Sequence, residues 1–515
     1  MLFFLLVILS FSISHAFGPR PRSGSMASNR HGMEIISSND RDEDMVGGGV
    51  VHFNNAGASP SPPIVVETII AHLNDETENG GYLAAARAKP RLDRVYASVA
   101  RLVNAKSGGG DPRRVIALVE SATVAWTRIF YSMAEQLARS AEEEARIAGG
   151  NVVQRTILMS EAEYAANVVA AVKFAREKND QIKGEGVLWK VLTIPSTLYV
   201  DESGKEEITG IVDTVALRKM VAQDKSICMV CCSHIPTNSG IINPVEEIGN
   251  IVSTVNREDR ARTDSAALPK VFYLVDACQS AGQIGLDVQK IKCHALAASG
   301  RKYLRGPRGT GFLYVREDIA NALKPHHVDH ACCPVRKLEE DGKVVDLTAS
   351  VDLTASFDHT YLQGASRFEF WESSIANKLG LGSAIEYALD EVGMDFIEKS
   401  CCSLGRQLRA RLSFMNRVSV YHDVPFDKGS QCGIVTFSIH GIESERVKES
   451  MLLYLDESPE TTSRSIFELS VVPATSTPAD SAKMLAVDLV RASLSYENTL
   501  EQVNCFCEKL EKLSK

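Results

Sequence analysis

The chain has 515 residues, of which 44% are hydrophobic and 23% charged, and it carries a formal net charge of −9. That is the composition of a globular protein long enough for two or more cores, and it excludes disordered, collagen-like and coiled-coil chains. An acidic chain without a basic block lacks the footprint of a nucleic-acid binder. With a mean hydropathy of −0.06 and a single long apolar run, it is not a polytopic membrane protein.

That run comes first. Leu2 to Ile13 is almost wholly apolar, too short to span a bilayer comfortably but suited to a signal-peptide core. Ser14, His15 and Ala16 form a small-x-small cleavage site. The stretch from Phe17 to Met33 carries Arg20, Arg22 and Arg30 and no acidic residue. A signal core followed by an Arg- and Ser-rich, acid-free stretch resembles the bipartite presequence of algae with secondary plastids. Residues 1–40 are therefore read as a targeting presequence for plastid import, with the secretory pathway as the alternative.

Val50 to Pro63 is polar and rich in Gly and Pro, and helical patterns follow at Val65–Leu73 and Pro90–Leu102. Short apolar runs then recur at Val115–Val119, Thr156–Met159, Val191–Ile194, Ile227–Cys232, Val271–Val275, Ala295–Ala298 and Phe312–Val315. Their length suits fully buried strands, and helical stretches such as Thr123–Ala138 and Val245–Val255 lie between several of them. The pattern predicts an α/β fold with a mostly parallel seven-stranded sheet covered on both faces. Charged stretches at Ala141–Ala148, Lys178–Gly186 and Arg257–Ala266 read as surface loops or helix extensions. Beyond Lys324 the character changes. Helices are expected at Ala376–Val392 and Met394–Leu412, strands near Val418–Tyr421 and Ile434–Ile439, and a last helix from Leu500. This divides the chain into a large unit, 41–325, and a smaller α+β unit, 326–515.

Six of the twelve cysteines form adjacent pairs, Cys231-Cys232, Cys332-Cys333 and Cys401-Cys402. Neighbouring cysteines rarely bridge without strain, so a reducing compartment such as a stroma is expected. Cys228, Cys231 and His234 have zinc-like spacing. Cys228 and Cys231 fall within one buried strand, however, and no second CxxC exists, so no metal is implied.

The chemistry concentrates between Val271 and Val315. One strand ends in Asp276, followed by Ala277, Cys278 and Gln279; the next ends in Ser299, Gly300, Arg301 and Lys302, before the Gly-rich turn Gly306–Gly311. Ligands of open α/β sheets bind beyond the carboxyl ends of strands. A lysine there is a candidate Schiff-base nucleophile, and the aspartate a candidate partner for a pyridinium nitrogen. The turn has no GK[ST] and is not a Walker loop.

These segments resemble the class V aminotransferase family, the fold-type I pyridoxal 5′-phosphate (PLP) enzymes that include cysteine desulfurases. The resemblance runs from about Phe53 to Leu510. It implies that Lys302 carries the cofactor, Asp276 partners the ring nitrogen and Gln279 bonds the phenolic oxygen. It places the phosphate at Ser121, Ala122 and Thr123, where a helix N-terminus offers free N–H groups. Ser121 and Thr123 also read as an ordinary N-cap. Ser299 and Arg301 would face the phosphate. Tyr164, in the segment Glu163–Asn167, stands where the desulfurases stack a histidine on the ring. Thr237, in the loop His234–Gly240, falls where they have an asparagine. Arg491, in Val490–Thr499, would clamp the substrate carboxylate. Asn55 and Gly57 would line the substrate mouth, and a homodimer is implied.

Two departures stand out. No cysteine occurs between Cys432 and Cys505, although the desulfurases carry their persulfide-forming cysteine just upstream of the arginine segment. Glu372 occupies the place of a threonine that reaches the partner subunit's phosphate, a contact a carboxylate would repel; Thr310, with Gly309 and Gly311, is the candidate replacement. Taken together, the motifs resemble a branch holding the cysteine-conjugate sulfoxide lyases of ergothioneine synthesis and isopenicillin-epimerase-like proteins. The reading is a PLP-dependent C–S lyase acting on cysteine or a cysteine derivative. A transaminase and an epimerase are the alternatives, and a cofactor-free binding protein is a competitor of a different class. The partner is a small-molecule amino acid, with no nucleic acid and no membrane in the mature form.

Overall fold

The seven apolar runs become the seven strands of one sheet. In this computed structural model they are β2 (Ile116–Val119), β3 (Val153–Ser160), β4 (Val187–Ile194), β7 (Ile227–Ser233), β8 (Phe272–Asp276), β9 (Ala295–Ser299) and β10 (Gly311–Val315). Their order is β2-β10-β9-β8-β7-β3-β4, and the β10 pairings with β2 and β9 are antiparallel while the rest are parallel. The structure describes residues 49–514 apart from 148, 150–151, 183–185, 201–203, 205, 264–267, 338–352, 423, 425–429, 454–465 and 480–487.

Both faces of the sheet are covered, which is why the strands read as continuous apolar runs rather than alternations. On β8, Tyr273 and Val275 join one core with Val95, Val99, Ile248 and Leu379. Phe272 and Leu274 join the opposite core with Trp126, Phe130, Ala171 and Phe174. The helices concerned are α1 (Pro63–Asn79), α2 (Gly81–Leu102), α3 (Ala122–Ile147), α4 (Ala165–Asp180), α5 (Thr214–Gln223), α6 (Val245–Thr263) and α7 (Ile375–Glu386).

Two expectations are corrected or resolved here. The sequence places a helix start at Pro90, but α2 runs from Gly81 straight through it. Ala84 and Ala88 are buried at helical spacing with Val95, Val99 and Leu102, and α2 packs on α1 and α7. That burial outweighs the one hydrogen bond a mid-helix proline removes, a cost of about 3 kcal/mol. The charged stretches around Glu143 and Arg257 are helix extensions, carrying α3 to Ile147 and α6 to Thr263.

A hairpin, β5 (Ser196–Val200) with β6 (Glu206–Val212), is inserted between β4 and β7, and a short pair, β11 (Val335–Lys337) with β12 (Phe357–His359), follows β10. A second sheet has the order β13-β14-β17-β16, formed by Val418–Val420, Ile434–Ile439, Leu489–Ser493 and Ser470–Val472 respectively. Its core adds Leu404 and Leu408 of α8 (Met394–Ser413), Val447 of α9 (Ser444–Leu452) and Phe506 of α10 (Leu500–Ser514). The polar N-terminal segment opens with β1 (Val50–His52), paired parallel with β15 (Ile466–Glu468). Phe53 follows it into the same core, 5.4 Å from both Phe467 and Phe506. This stitch brings Asn55 and Gly57 to the neighbourhood of β17 and of Arg301.

Candidate active site

The carboxyl ends of β2, β3, β7, β8 and β9 deliver, in turn, Ser121, Glu163, His234, Asp276 and Lys302 to one edge of the sheet. Gly311 opens the antiparallel β10 at the same edge, opposite Ser299 and Val119. A Cβ on Gly311 would lie 2.5 Å from the Ala298 carbonyl and 2.8 Å from the Ser121 backbone. Only a bare backbone lets the start of α3 approach the strands this closely.

Asp276 is buried. Its Oδ2 accepts from Asn167 Nδ2 at 2.8 Å and its Oδ1 from the Cys278 N–H at 2.9 Å. Burial pushes its proton affinity up, against the pull of those two donors and of the Lys302 charge. Lys302 is half-buried and has no hydrogen bond or ion pair to its amine among the described residues, so Asp276 is the charge it faces. His234 is buried, with its Nδ1 unpartnered, and burial pushes it down to about 4, so it is neutral at physiological pH.

At the start of α3, Ser121 Oγ accepts from the Val124 N–H at 3.2 Å, and Ser299 Oγ accepts from the Ala122 N–H at 2.9 Å. Ser121 is thus an N-cap, and the Thr123 N–H next in the turn has no partner among the described residues. Arg301 does not stand over this turn with a free guanidinium. It donates to the Gly57 carbonyl and lies against the N-terminal segment.

On the far side, Arg491 of β17 is buried and donates through Nε to Ser470 Oγ at 3.0 Å. Its Nη1 donates to Thr237 Oγ1 at 2.7 Å and to the Thr237 carbonyl at 3.3 Å. No described carboxylate pairs with it, and burial pushes it down to about 10. Thr237 Oγ1 also accepts from Gln279 Nε2 at 3.2 Å, so one hydroxyl joins the arginine to the glutamine. The Gln279 amide further donates to the Ala56 carbonyl, and its Oε1 is buried without a partner.

Tyr164 is 40% exposed, not a core tyrosine, and its phenol acts electrostatically on Arg491. Asn55 is buried and pins the N-terminal segment to β17 through the Ser493 carbonyl at 2.8 Å. Gly57 contributes its carbonyl to Arg301. Glu372 is exposed, whereas Thr310 is buried with its hydroxyl donated to the Pro307 carbonyl at 2.7 Å. The structure thus gathers Asp276, Lys302, Gln279 and Arg491 at one edge, with Ser121–Thr123 and Ser299 at the adjoining helix start. Sequence reasoning missed Asn167 and Glu163 as members of the site. Their only signal was membership of the motif that supplied Tyr164.

Among the described residues, the cysteines form no disulfide. Cys228 donates to the Thr156 carbonyl within the sheet, and burial pushes its thiol up to about 12. Among the described residues, no cluster of three metal-ligating side chains forms, and no helix is long and apolar enough to cross a membrane.

A mostly parallel sheet with a lysine, a buried carboxylate and a helix N-terminus at its carboxyl edge defines a class of ligand-binding α/β protein. Comparison with known proteins narrows it. Residues 51–506 match the family Aminotransferase class-V, and the chain belongs to that family. A probable cysteine desulfurase of Methanothermobacter thermautotrophicus is 25% identical over 473 residues, covering 90% of this chain and 94% of that protein. One from Synechocystis is 23% identical, covering 90% of each. Among solved structures, the apo cysteine desulfurase of Thermococcus onnurineus superposes with a TM-score of 0.66 at 20% identity, covering 90% of this chain and 94% of that one. The cystine C–S lyase C-DES, in complex with its product cysteine persulfide, gives 0.62 at 18%, covering 89% and 97%. The fold is therefore that of the fold-type I enzymes.

Proposed function

We propose that this chain is a PLP-dependent enzyme that cleaves the C–S bond of cysteine or a cysteine derivative. One observation carries the reading: Lys302 and a buried Asp276 face one another at the sheet edge, and Arg491, a buried guanidinium with no carboxylate partner among the described residues, joins them from β17 through Thr237 and Gln279. The residues fit the cofactor. The Thr123 N–H is a free donor for a phosphate, Asp276 is a buried anion for a ring nitrogen, and Gln279 has an unpaired buried oxygen. With its NH₂ committed to the Ala56 carbonyl and Thr237, that oxygen would accept from a phenolic hydroxyl.

Bound there, the cofactor supplies an electron sink for charge released at the substrate's α-carbon. The protein's share is positional and protonic. Ser121, Ala122, Thr123 and Ser299 would hold the phosphate at the start of α3. Asp276 would keep the ring nitrogen protonated. Tyr164 would cover one ring face. Arg491 holds the substrate carboxylate, Asn55 and Gly57 frame the entrance, and Lys302 takes the α-proton. The absence of a cysteine between Cys432 and Cys505 favours direct β-elimination over transfer of sulfur to an enzyme thiol.

Two measurements test this. Borohydride reduction should leave the pyridoxyl mass on the peptide holding Lys302, and Lys302→Ala should lose both the visible absorbance of the lysine-linked cofactor and turnover while staying folded. S-substituted cysteine sulfoxides should yield pyruvate and ammonia. Stoichiometric alanine from cysteine with a labelled enzyme persulfide would overturn the elimination, and rapid exchange with 2-oxo acids without pyruvate would favour the transaminase.

We further propose a homodimer, supported by the exposed apolar side chains Ile64, Val66, Ile70 and Leu73 on α1 and Tyr82 and Leu83 on α2. Sedimentation of a monomer at micromolar concentration would refute it. Plastid import is proposed on residues 1–40, which lie outside the described residues. A fluorescent protein carrying that segment should reach the plastid, and its secretion would refute the assignment.

A further inference from the structure

Glu163 is 1% exposed and stands one side chain behind Asp276. Asn167 Nδ2 donates to Glu163 Oε1 and to Asp276 Oδ2, both at 2.8 Å. The two hydrogens of one amide thus link two buried carboxylates. The reverse amide orientation would aim an oxygen at both anions, so this orientation is fixed. Glu163 also accepts from the Ser233 N–H at 2.8 Å, the Ser233 hydroxyl at 2.6 Å and the Ser160 hydroxyl at 2.7 Å. Each of its oxygens faces a nitrogen donor that cannot accept, which is the surrounding of an ionised carboxylate.

We propose that Glu163 is a positioning residue: a second buried anion that acts through Asn167 and Asp276 to keep the ring nitrogen of the bound cofactor protonated. This rests on the reading of the site as a PLP site. Tyr273 of β8 and Cys231 and Cys232 of β7 also lie within electrostatic range of Glu163, but burial pushes all three well above their ordinary range, so they are neutral. Asp276 is the charge that acts on Glu163, and Lys302 acts in turn on Asp276. Burial and the Asp276 charge push the Glu163 proton affinity up, the three hydrogen-bonding side chains oppose them, and a pyridinium held on Asp276 would draw both carboxylates toward the anion. Two anions behind one cation leave that cation harder to deprotonate than Asp276 alone would.

The test is a pH titration of holoenzyme carrying cofactor labelled with ¹⁵N at the ring nitrogen, whose chemical shift reports the proton. In the wild type the nitrogen should stay protonated from about pH 6 to about pH 9. In Glu163→Gln, which keeps the shape and loses the charge, the midpoint should fall by about 1–2 pH units and kcat should drop while KM holds. Glu163→Asp should restore the midpoint. A merely structural role would lower thermal stability without moving it. A folded Gln variant with an unmoved midpoint overturns the inference and leaves the PLP reading intact. If the Gln variant does not fold, the wild-type titration decides, since a nitrogen that loses its proton below about pH 7 also overturns it. A wild type with no cofactor signal overturns both.

Discussion

Replacing Arg491 with Met should make the substrate-free protein more stable and nearly abolish substrate binding. The guanidinium is fully buried, with two hydroxyls and a backbone carbonyl as its partners and no described carboxylate. Burial lowers its folded-state pKa from the ordinary guanidinium range to about 10, so keeping the charge at neutral pH costs the folded state about 3 kcal/mol. The sign follows from the direction of the shift. The unfolded chain holds this proton more tightly than the folded one, so the cost is complete at every pH below about 10 and fades only as pH rises toward the unfolded value. Methionine fills similar space without the charge. Three bonds are lost, to Ser470 Oγ, Thr237 Oγ1 and the Thr237 carbonyl, which returns about 2–3 kcal/mol. The net gain is at most about 1 kcal/mol, and it should be the same at pH 6 as at pH 9 within about 0.5 kcal/mol. The functional loss is larger. Two charge-assisted bonds to a substrate carboxylate are worth about 1.5–3 kcal/mol each, so KM should rise at least about 100-fold. Denaturant unfolding of substrate-free holoenzyme, paired with steady-state kinetics, reads both effects. A variant that is less stable than wild type, with KM unchanged, would refute an unpaired buried clamp.

Gly311→Ala should weaken cofactor binding as well as the fold. Its Cβ would meet backbone atoms of Ala298 and Ser121 on two sides, so β9 or the start of α3 must move, at a cost of about 1–3 kcal/mol. Equilibrium titration of the cofactor-free variant with PLP and thermal melts check this, and wild-type values in both would contradict it. His294 predicts a pH effect. Burial pushes it down to about 3, and its Nδ1 accepts from the Tyr273 N–H at 2.8 Å. The unfolded chain takes up this proton below about pH 6.5 and the folded chain does not, so stability falls with acidification. His294→Asn, whose oxygen can replace that acceptor, should lose about 2 kcal/mol less than wild type between about pH 7 and about pH 5 in urea unfolding. Equal losses would show that His294 does not set the slope.

The sheet was legible because five of its strands are buried along their whole length, on both faces. Val271–Val275 and Ala295–Ala298 had to be apolar at every position, and that is visible without knowing their neighbours. Asp276, Gln279 and Lys302 were legible for a related reason. They follow strand ends closely, so local spacing already places them at one edge. Arg491 was reached through family resemblance, since no pattern within Leu489–Ser493 marks that side chain as facing the site. Ser121 read equally well as a cap and as an anion site, and the structure shows that the capping bond leaves the next N–H free.

Helix continuity at Pro90 was decided by tertiary packing, because local propensity argues for a boundary where the buried face of α2 argues against one. The strand Val50–His52 forms only because Ile466–Glu468 offers it a ladder. The hydroxyl of Thr237 between Arg491 and Gln279 joins residues 254 and 42 positions apart. The amide of Asn167 between Glu163 and Asp276 depends on the lateral order of β3, β7 and β8 in the sheet. The sequence by itself determined which residues end the strands and what chemistry they can do, since burial on two faces and turn chemistry are local demands on residue type. Which of those side chains share a hydrogen bond, and which buried charge goes without a partner, was decided only when the sheet order and the second sheet brought distant segments within about 3 Å, the range where such bonds form.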